Sequence, residues 1–398
     1  MAIVVYYKYM IIGTLFTAPV EGISTGGAGV LHCQGQCIFM DYTVPGDLII
    51  GRITEEHKGW AQGELVEVLE PSPQRRTPVC EVFGACGACS LQHLAYETQI
   101  AEKVRILQDG LVRIGGLPVP PEPNRYPAPP WAYRNRVQFH CIRPFHQGSL
   151  GFKSRSGVRI IPLTDCPIAD PGIRQALQEK ALLPPPGQDR FTVYSRFKTF
   201  LSEGGLCRGR VSLLDRELLL DAGVFFQSNG IMLELLIQDL RRYAQEADPS
   251  LPMADLYCGV GTFAAFLQDL FPRMDLVEQN GPALALAREN VRGKGLRYAA
   301  LSCDQWVKTL PHKACYGFMV VDPPRQGLSW GLRQWIVHRG PPLLAYISCD
   351  PATLARDSRA LLQGGYELRE VNFYDFYPQT AHIESLGIFT RTRTFHGA

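Results

Sequence analysis

Cys80, Cys86 and Cys89 fall within ten residues, in the run C-x5-C-G-A-C. Glycine lets the backbone turn tightly, so three thiols at this spacing can wrap one metal centre. The ordinary fate of a cysteine, as a small buried hydrophobe, suits single cysteines better than a cluster. Zinc and iron–sulfur centres usually take four ligands. Cys166, in Asp-Cys-Pro, is the best candidate for the fourth. A typical zinc site has two closely spaced pairs and only one is present here, which tips the pattern toward iron–sulfur without deciding it.

A second set of residues sits where strand patterns end. Asp255-Leu-Tyr-Cys-Gly-Val-Gly261-Thr-Phe follows a strand and opens a helix, and its glycines permit a tight turn and close backbone approach to a ligand. Glu278 ends the next strand, where a carboxylate can accept both ribose hydroxyls of an adenosine. The third glycine of a dinucleotide fingerprint is missing, with Phe263 and Ala264 in that region. That favours a nucleoside cofactor such as S-adenosylmethionine over NAD. Asp322-Pro-Pro-Arg325 ends a further buried strand. It is similar to the tetrapeptide of adenine amino-methyltransferases, but Arg325 stands where those enzymes need a stacking aromatic. Cys349 ends the following strand, just ahead of a helix N-terminus. There the helix dipole and backbone N–H groups are expected to lower its pKa below the free value of about 8.5. Glu384 enters the apolar run IESLGIF, which is costly unless it is paired or functional. Taken alone, an exposed carboxylate at a strand start is the simpler reading.

Residues 131–160 hold six Lys/Arg, no Asp/Glu, and Trp131, Tyr133, Phe139, Phe145 and Phe152 between them. Basic groups bind phosphates and aromatics stack unpaired bases, as in single-stranded RNA recognition. The competing reading is a solvated basic hairpin.

The elements that must position these residues are legible from pattern. Residues 12–71 carry short alternating runs broken by Gly and Pro, which predicts a small β-barrel. Residues 95–114 predict an amphipathic helix stopped by Gly115-Gly116. The segment 118–131, PVPPEPNRYPAPPW, predicts a connector without a regular element, and a strand-like pattern resumes to about Val224. From about 253, strands alternate with helices, which predicts a doubly wound, mainly parallel sheet. LREVNFYDFY and ESLGIFTRT predict an antiparallel hairpin on its edge. The 398 residues are enough for two or three domains. With 40 Lys+Arg against 38 Asp+Glu and 46% apolar residues, a disordered chain and a histone-like polycation are excluded. The 12 cysteines are too sparse for a disulfide scaffold. The apolar N-terminal run is interrupted by Lys8 and predicts a strand rather than a signal peptide; Met10 is an alternative start. No stretch reaches the ~18 apolar residues of a membrane span. A cytoplasmic monomer is expected.

Taken together, the chain resembles the RNA uracil C5-methyltransferase family over nearly its whole length. The resemblance rests on the Cys80–Cys89 motif with LQH after it, TDCP around Cys166, FFQSN at 225–229, DLYCGVGTF, VEQN, VVDPPRQGL, SCDPATLARD and HIESL, in that order. It implies an α/β fold: a Rossmann-like methyltransferase domain at 226–398, preceded by an OB-like TRAM barrel at 12–71 and a β-rich central iron–sulfur domain at 72–225. The helix at 95–114 is expected to pack on the catalytic domain. The resemblance further implies a [4Fe–4S] cluster on Cys80, Cys86, Cys89 and Cys166. Contacts to S-adenosylmethionine would come from Gln227, Tyr257, Thr262, Glu278, Asp304 and Asp322. Cys349 would be the nucleophile and Glu384 the base. Tyr257 and Thr262 depart from the Phe and Asn of other members. The implied substrate is a uridine of RNA, with 23S ribosomal RNA ahead of tRNA. A non-catalytic RNA-binding iron–sulfur protein and a zinc-containing adenine methyltransferase are the alternatives.

Overall fold

The alternating residues of 12–71 become six strands in the computed structural model, which describes residues 11–142 and 150–391. These are β1 (Leu15–Pro19), β2 (Gly22–Ile23), β3 (Gly29–Cys33), β4 (Gln36–Met40), β5 (Leu48–His57) and β6 (Trp60–Glu70). They form one sheet in the order β1-β5-β6-β4-β3-β2. All pairings are antiparallel except β4 with β6. Period-two alternation puts Phe16, Leu31, Ile38, Met40, Ile49 and Ile53 into one apolar cluster.

The chain divides into two compact units. The first holds residues up to 106, with 152–161 and 378–382; the second holds 107–151, 162–377 and 383 onward. Helix α1 (Tyr96–Arg113) crosses that division. It ends before Gly116, whose φ is +70°. Its second half lies close to the catalytic region, since a Cβ on Gly110 would stand 3.4 Å from the Pro351 carbonyl.

The second unit opens with a correction. The proline-rich connector contains β7 (Asn124–Tyr126), which pairs in parallel with residues 372–374. Asn124 donates to the Asn372 side chain at 2.8 Å, and the Tyr126 ring stacks on Tyr374 at 4.6 Å. These partners lie about 250 residues away in sequence, so local pattern carries no trace of them. Strands β8 (Arg136–Cys141), β9 (Leu150–Lys153), β10 (Ile160–Pro162), β11 (Arg190–Arg196) and β12 (Thr199–Ser202) follow, with β11 between β8 and β12. Among them α2 (Pro171–Gln178) interrupts the strand-like stretch. Its start is local: Asp170 caps it, with its carboxylate accepting from Gly172 N–H at 3.0 Å, and Pro171 holds the first turn. A hairpin of β13 (Arg208–Leu213) and β14 (Arg216–Asp221) leads to α3 (Gly230–Ala244).

The alternating segment then gives β15 (Met253–Leu256), α4 (Thr262–Leu267), β16 (Met274–Val277), α5 (Gly281–Asn290), β17 (Leu296–Ala299) and α6 (Cys303–Thr309). It continues through β18 (Phe318–Val321), α7 (Trp330–Arg339), β19 (Leu343–Ser348), α8 (Pro351–Gln363), β20 (Tyr366–Tyr374) and β21 (Glu384–Arg391). The sheet order is β17-β16-β15-β18-β19-β21-β20-β7. The first five strands are parallel, and β21 runs antiparallel between β19 and β20. The expected terminal hairpin is therefore present but does not form the edge, which is β7. The strand order reverses between β15 and β18, the position where open α/β sheets bind ligands. Among the described residues no helix is long and apolar enough to cross a membrane.

Candidate active site

Residues at the carboxyl ends of β15, β16 and β18 surround a cavity of about 340 Å³, lined by Tyr257, Glu278, Asp304, Pro324, Gly327 and Leu328 among others. The turn from β15 into α4 makes room for it. Gly259 and Gly261 have φ of +54° and +79°. A Cβ on Gly261 would stand 3.0 Å from Val291 and 3.1 Å from Ala287 of α5, so only glycine suits this turn. Tyr257 itself holds a φ of +61°. That conformation is uncommon for a bulky residue, and such strain collects at functional sites.

Glu278, one residue past β16, accepts the Gly259 N–H at 3.1 Å and the Asn280 N–H at 2.7 Å. Asp304 lies in the first turn of α6, which Ser302 and Gln305 start with a reciprocal capping box. One of its oxygens accepts the Leu332 N–H of α7 at 3.0 Å. Gln227 presents a buried Oε1 with no hydrogen-bond partner among the described residues, and an orphaned buried acceptor asks for a ligand donor. Thr262 opens α4 and is buried, but it does not line the cavity. Asp255 is a further acid that the sequence reading used only as a motif boundary. It is fully buried and accepts the Ala264 N–H at 3.0 Å, and its Oδ1 has no partner among the described residues. Burial pushes its carboxyl up to about 8.

The sheet register assembles the other candidates. Asp322 follows β18 and Cys349 follows β19, on neighbouring parallel strands. Strand β21 pairs with β19 so that Ser348 faces Ser385, and the Ser385 hydroxyl donates to the Ser348 carbonyl at 3.3 Å. One step further along this antiparallel register, Glu384 comes opposite Cys349. Glu384 is 3% exposed, which overturns its reading as an exposed strand-start carboxylate. Its pKa is raised well above the usual range, by burial first and then by Asp322. Asp322 is itself pushed up to about 7 by burial.

Cys349 corrects another expectation. It does precede a helix start: Asp350 caps α8, accepting the Thr353 N–H at 2.8 Å. Its thiol is nevertheless pushed up to about 11, by burial and then by the charges of Glu384 and Asp322. These outweigh the opposing pull of Arg325 and a backbone hydrogen bond. Arg325, noted in the sequence only for not being aromatic, is thus the cation that faces the thiol.

The basic stretch is also corrected. Tyr133, Phe139 and Phe152 are buried core residues and offer no face for base stacking; Phe145 and Arg143 lie outside the described residues. Arg134 is partly buried and donates to the Arg136 carbonyl at 3.3 Å. Lys153, Arg155 and Arg159 are exposed. Arg155 pairs with Asp41 and lies 5.4 Å over the Tyr42 ring.

Cys80, Cys86 and Cys89 lie in the first unit and Cys166 in the second. The loop carrying the first three is well tied. Cys80 N–H donates to Gln92 at 3.1 Å, Gly87 N–H to the Lys153 carbonyl at 2.9 Å, and Ser90 N–H to the Gln379 carbonyl at 3.0 Å. Cys166 N–H donates to Asp165, which pairs with Arg174 at 2.6 Å. Among the described residues no three or more His, Cys, Asp or Glu side chains are grouped to hold a metal ion.

The chain is similar to known proteins over most of its length. The model of the tRNA (Uracil-5-)-methyltransferase family matches residues 207–393. An RNA methyltransferase of Treponema denticola is 34% identical, covering 90% of this chain and 94% of its own. The 23S rRNA (uracil(1939)-C(5))-methyltransferase of Acidithiobacillus ferrooxidans is 30% identical, covering 94% and 96%. The crystal structure of Pyrococcus abyssi tRNA (uracil-54, C5)-methyltransferase with S-adenosyl-L-homocysteine shares the fold, with a TM-score of 0.73 over 94% of this chain and all of that one, at 22% identity. With whole-length relatives of this kind, the chain belongs to the RNA uracil C5-methyltransferase family.

Proposed function

We propose that the protein methylates C5 of a uridine in RNA, using S-adenosylmethionine, and that the substrate is 23S ribosomal RNA. The observation that carries this is the register that sets Glu384 against Cys349 beside Asp322, at the same sheet edge as the cavity. When bound, S-adenosylmethionine supplies an electrophilic methyl group. Glu278 would accept ribose hydroxyls, Gln227 would use the Oε1 that has no partner among the described residues, and Tyr257 and Asp304 line the same cavity, with Thr262 and Asp322 as the further contacts that the resemblance implies.

C5 of uracil is too weak a nucleophile to take a methyl group unaided. The Cys349 thiol first gives its proton to Asp322, which leaves Glu384 deprotonated, and the sulfur then bonds to C6. The C5–C6 π electrons move into an enolate, making C5 nucleophilic. C5 takes the methyl group in line, a problem mostly of positioning. Glu384 then removes the C5 proton, the double bond re-forms and the C6–S bond breaks. Its raised pKa makes Glu384 a stronger base than an exposed carboxylate. The target base must be unpaired or flipped out to reach the thiol.

Ribosomal RNA is favoured because several of the relatives that match over nearly the whole chain, those of Acidithiobacillus ferrooxidans and Shewanella denitrificans among them, carry that specificity in their names. The reading of residues 12–71 as an RNA-binding TRAM domain, and of Cys80, Cys86, Cys89 and Cys166 as ligands of a [4Fe–4S] cluster, rests on sequence pattern. The tRNA specificity named for the family model and the archaeal structure is the second reading. Methylation of 23S and tRNA transcripts in parallel separates the two.

The mechanism is tested by denaturing electrophoresis of labelled RNA. Glu384→Gln keeps shape but removes the base, so a methylated protein–RNA adduct accumulates. Cys349→Ala forms no adduct and no product. Normal turnover by Glu384→Gln would assign the proton to another base.

A further inference from the structure

One buried acid in the same unit has no part in this chemistry. Asp357 sits in the middle of α8 and is 0% exposed. Its Oδ1 accepts from Arg333 at 2.6 Å and from Arg356 Nε and Nη2 at 3.0 and 2.8 Å. Its Oδ2 accepts the Leu328 N–H at 2.8 Å and the Tyr346 hydroxyl at 2.9 Å. Two guanidinium groups offset the cost of burying this charge, and the acceptor sites of the carboxylate are filled.

Besides Arg356 on α8 itself, the partners lie on α7, on β19 and in the segment after β18. Leu328 belongs to the segment after β18, which supplies Pro324, Gln326, Gly327, Leu328 and Ser329 to the cavity. Arg356, held by Asp357, donates onward to the Gln326 carbonyl at 2.9 Å. Between these two anchors Gly327 has a φ of +75°, and a Cβ there would stand 2.5 Å from Asp357 Oδ2 and 2.6 Å from Arg356 Nη2. Three consecutive residues of the cavity wall are therefore drawn onto α8, and only glycine permits the approach.

We propose that Asp357 is a positioning residue for cofactor binding: through Arg356 and the Leu328 N–H it clamps the 326–328 wall of the cavity. The proposal rests on the cavity being the S-adenosylmethionine site. Asp357 does not line the cavity itself, so its effect is on the pocket's shape. Tyr346, on β19, shares the carboxylate, and its hydroxyl also meets the Leu328 backbone, so it belongs to the same cluster.

The test is calorimetric titration of S-adenosylmethionine into the full chain and three variants, with melting temperature and RNA affinity measured beside it. Asp357→Asn should weaken cofactor binding by about tenfold or more, the scale of a lost charged hydrogen bond, while RNA affinity holds. Gly327→Ala should act in the same direction with the carboxylate intact. Tyr243→Phe removes a buried hydrogen bond elsewhere in the same unit, the one that Tyr243 of α3 donates to Glu370 at 2.7 Å, and should leave cofactor affinity within about twofold. Wild-type affinity in a folded Asp357→Asn overturns the clamp, as does equal weakening in Tyr243→Phe, which would mark a general loss of core stability. If Asp357→Asn does not fold, Gly327→Ala decides: unchanged affinity overturns the clamp. A wild-type chain that binds no S-adenosylmethionine removes the reading of the cavity and the clamp with it.

Discussion

Cys349 begins as a thiol rather than a thiolate. Burial and two neighbouring carboxyls raise its pKa to about 11, so at neutral pH the sulfur is held protonated. In the proposed reaction its activation is a local proton transfer, for which Asp322 is the acceptor that leaves Glu384 free for the C5 proton. Alkylation reads this directly. The rate of iodoacetamide labelling at the Cys349 peptide, followed by mass spectrometry, should climb with pH toward a midpoint near 11 in the wild-type protein. Glu384→Gln removes the larger of the two charges, so its midpoint should move down; Asp322→Asn should move it down by less. A midpoint unmoved in Glu384→Gln would mean that the two side chains do not meet.

At the scale of elements, loops after parallel strands carry most of the second unit's candidate site residues, as expected for an open α/β sheet. Asp322, Cys349 and the glycine turn each lie within a few residues of a strand end. The cysteine loop of the first unit is organised differently. Its backbone is held by Gln92, Lys153 and Gln379, which fixes the loop by hydrogen bonds independent of its thiols. If the loop carries a cluster, protein purified without oxygen should hold about four irons per chain. Cys80→Ser, Cys86→Ser, Cys89→Ser and Cys166→Ser should each lose them. Stoichiometric zinc without iron or sulfide would assign the other metal.

For the whole molecule, the acids of the catalytic unit make stability depend on pH. Asp255 and Asp322 are raised to about 8 and about 7, and Glu384 is raised as well. An acid with a raised pKa in the folded state binds protons there that the unfolded chain has already released. Stability therefore falls as pH rises from about 4 through about 8. Asp255→Asn keeps an acceptor for the Ala264 N–H while removing one such titration. Its melting temperature should drop less than that of the wild-type protein between pH 5 and pH 8.5. Parallel melting curves for the two would show that Asp255 is not held protonated.

The sequence by itself determined the alternation of strands and helices, the turn after β15, the acid after β16 and the positions of Asp322 and Cys349 at strand ends. These depend on neighbours a few residues away, where periodicity and turn chemistry operate. Tertiary structure alone decided the rest. Glu384 is buried because β21 inserts between β19 and β20, a pairing that no local pattern encodes. The thiol of Cys349 rises because it is buried and because that same pairing brings a carboxyl near it, reversing what the helix start alone predicts. Tyr133, Phe139 and Phe152 alternate with basic residues along the chain yet point into the core, since strand alternation does not say which face is wet. Asn124–Tyr126 becomes a strand only because residues 372–374 are there to pair with it. Asp357 lies in the polar run ARDSR, and only the convergence of β19, α7 and the cavity wall turns it into a buried anchor. Local sequence sets which groups exist and near which turn; burial, register and the charge next door come from residues far along the chain.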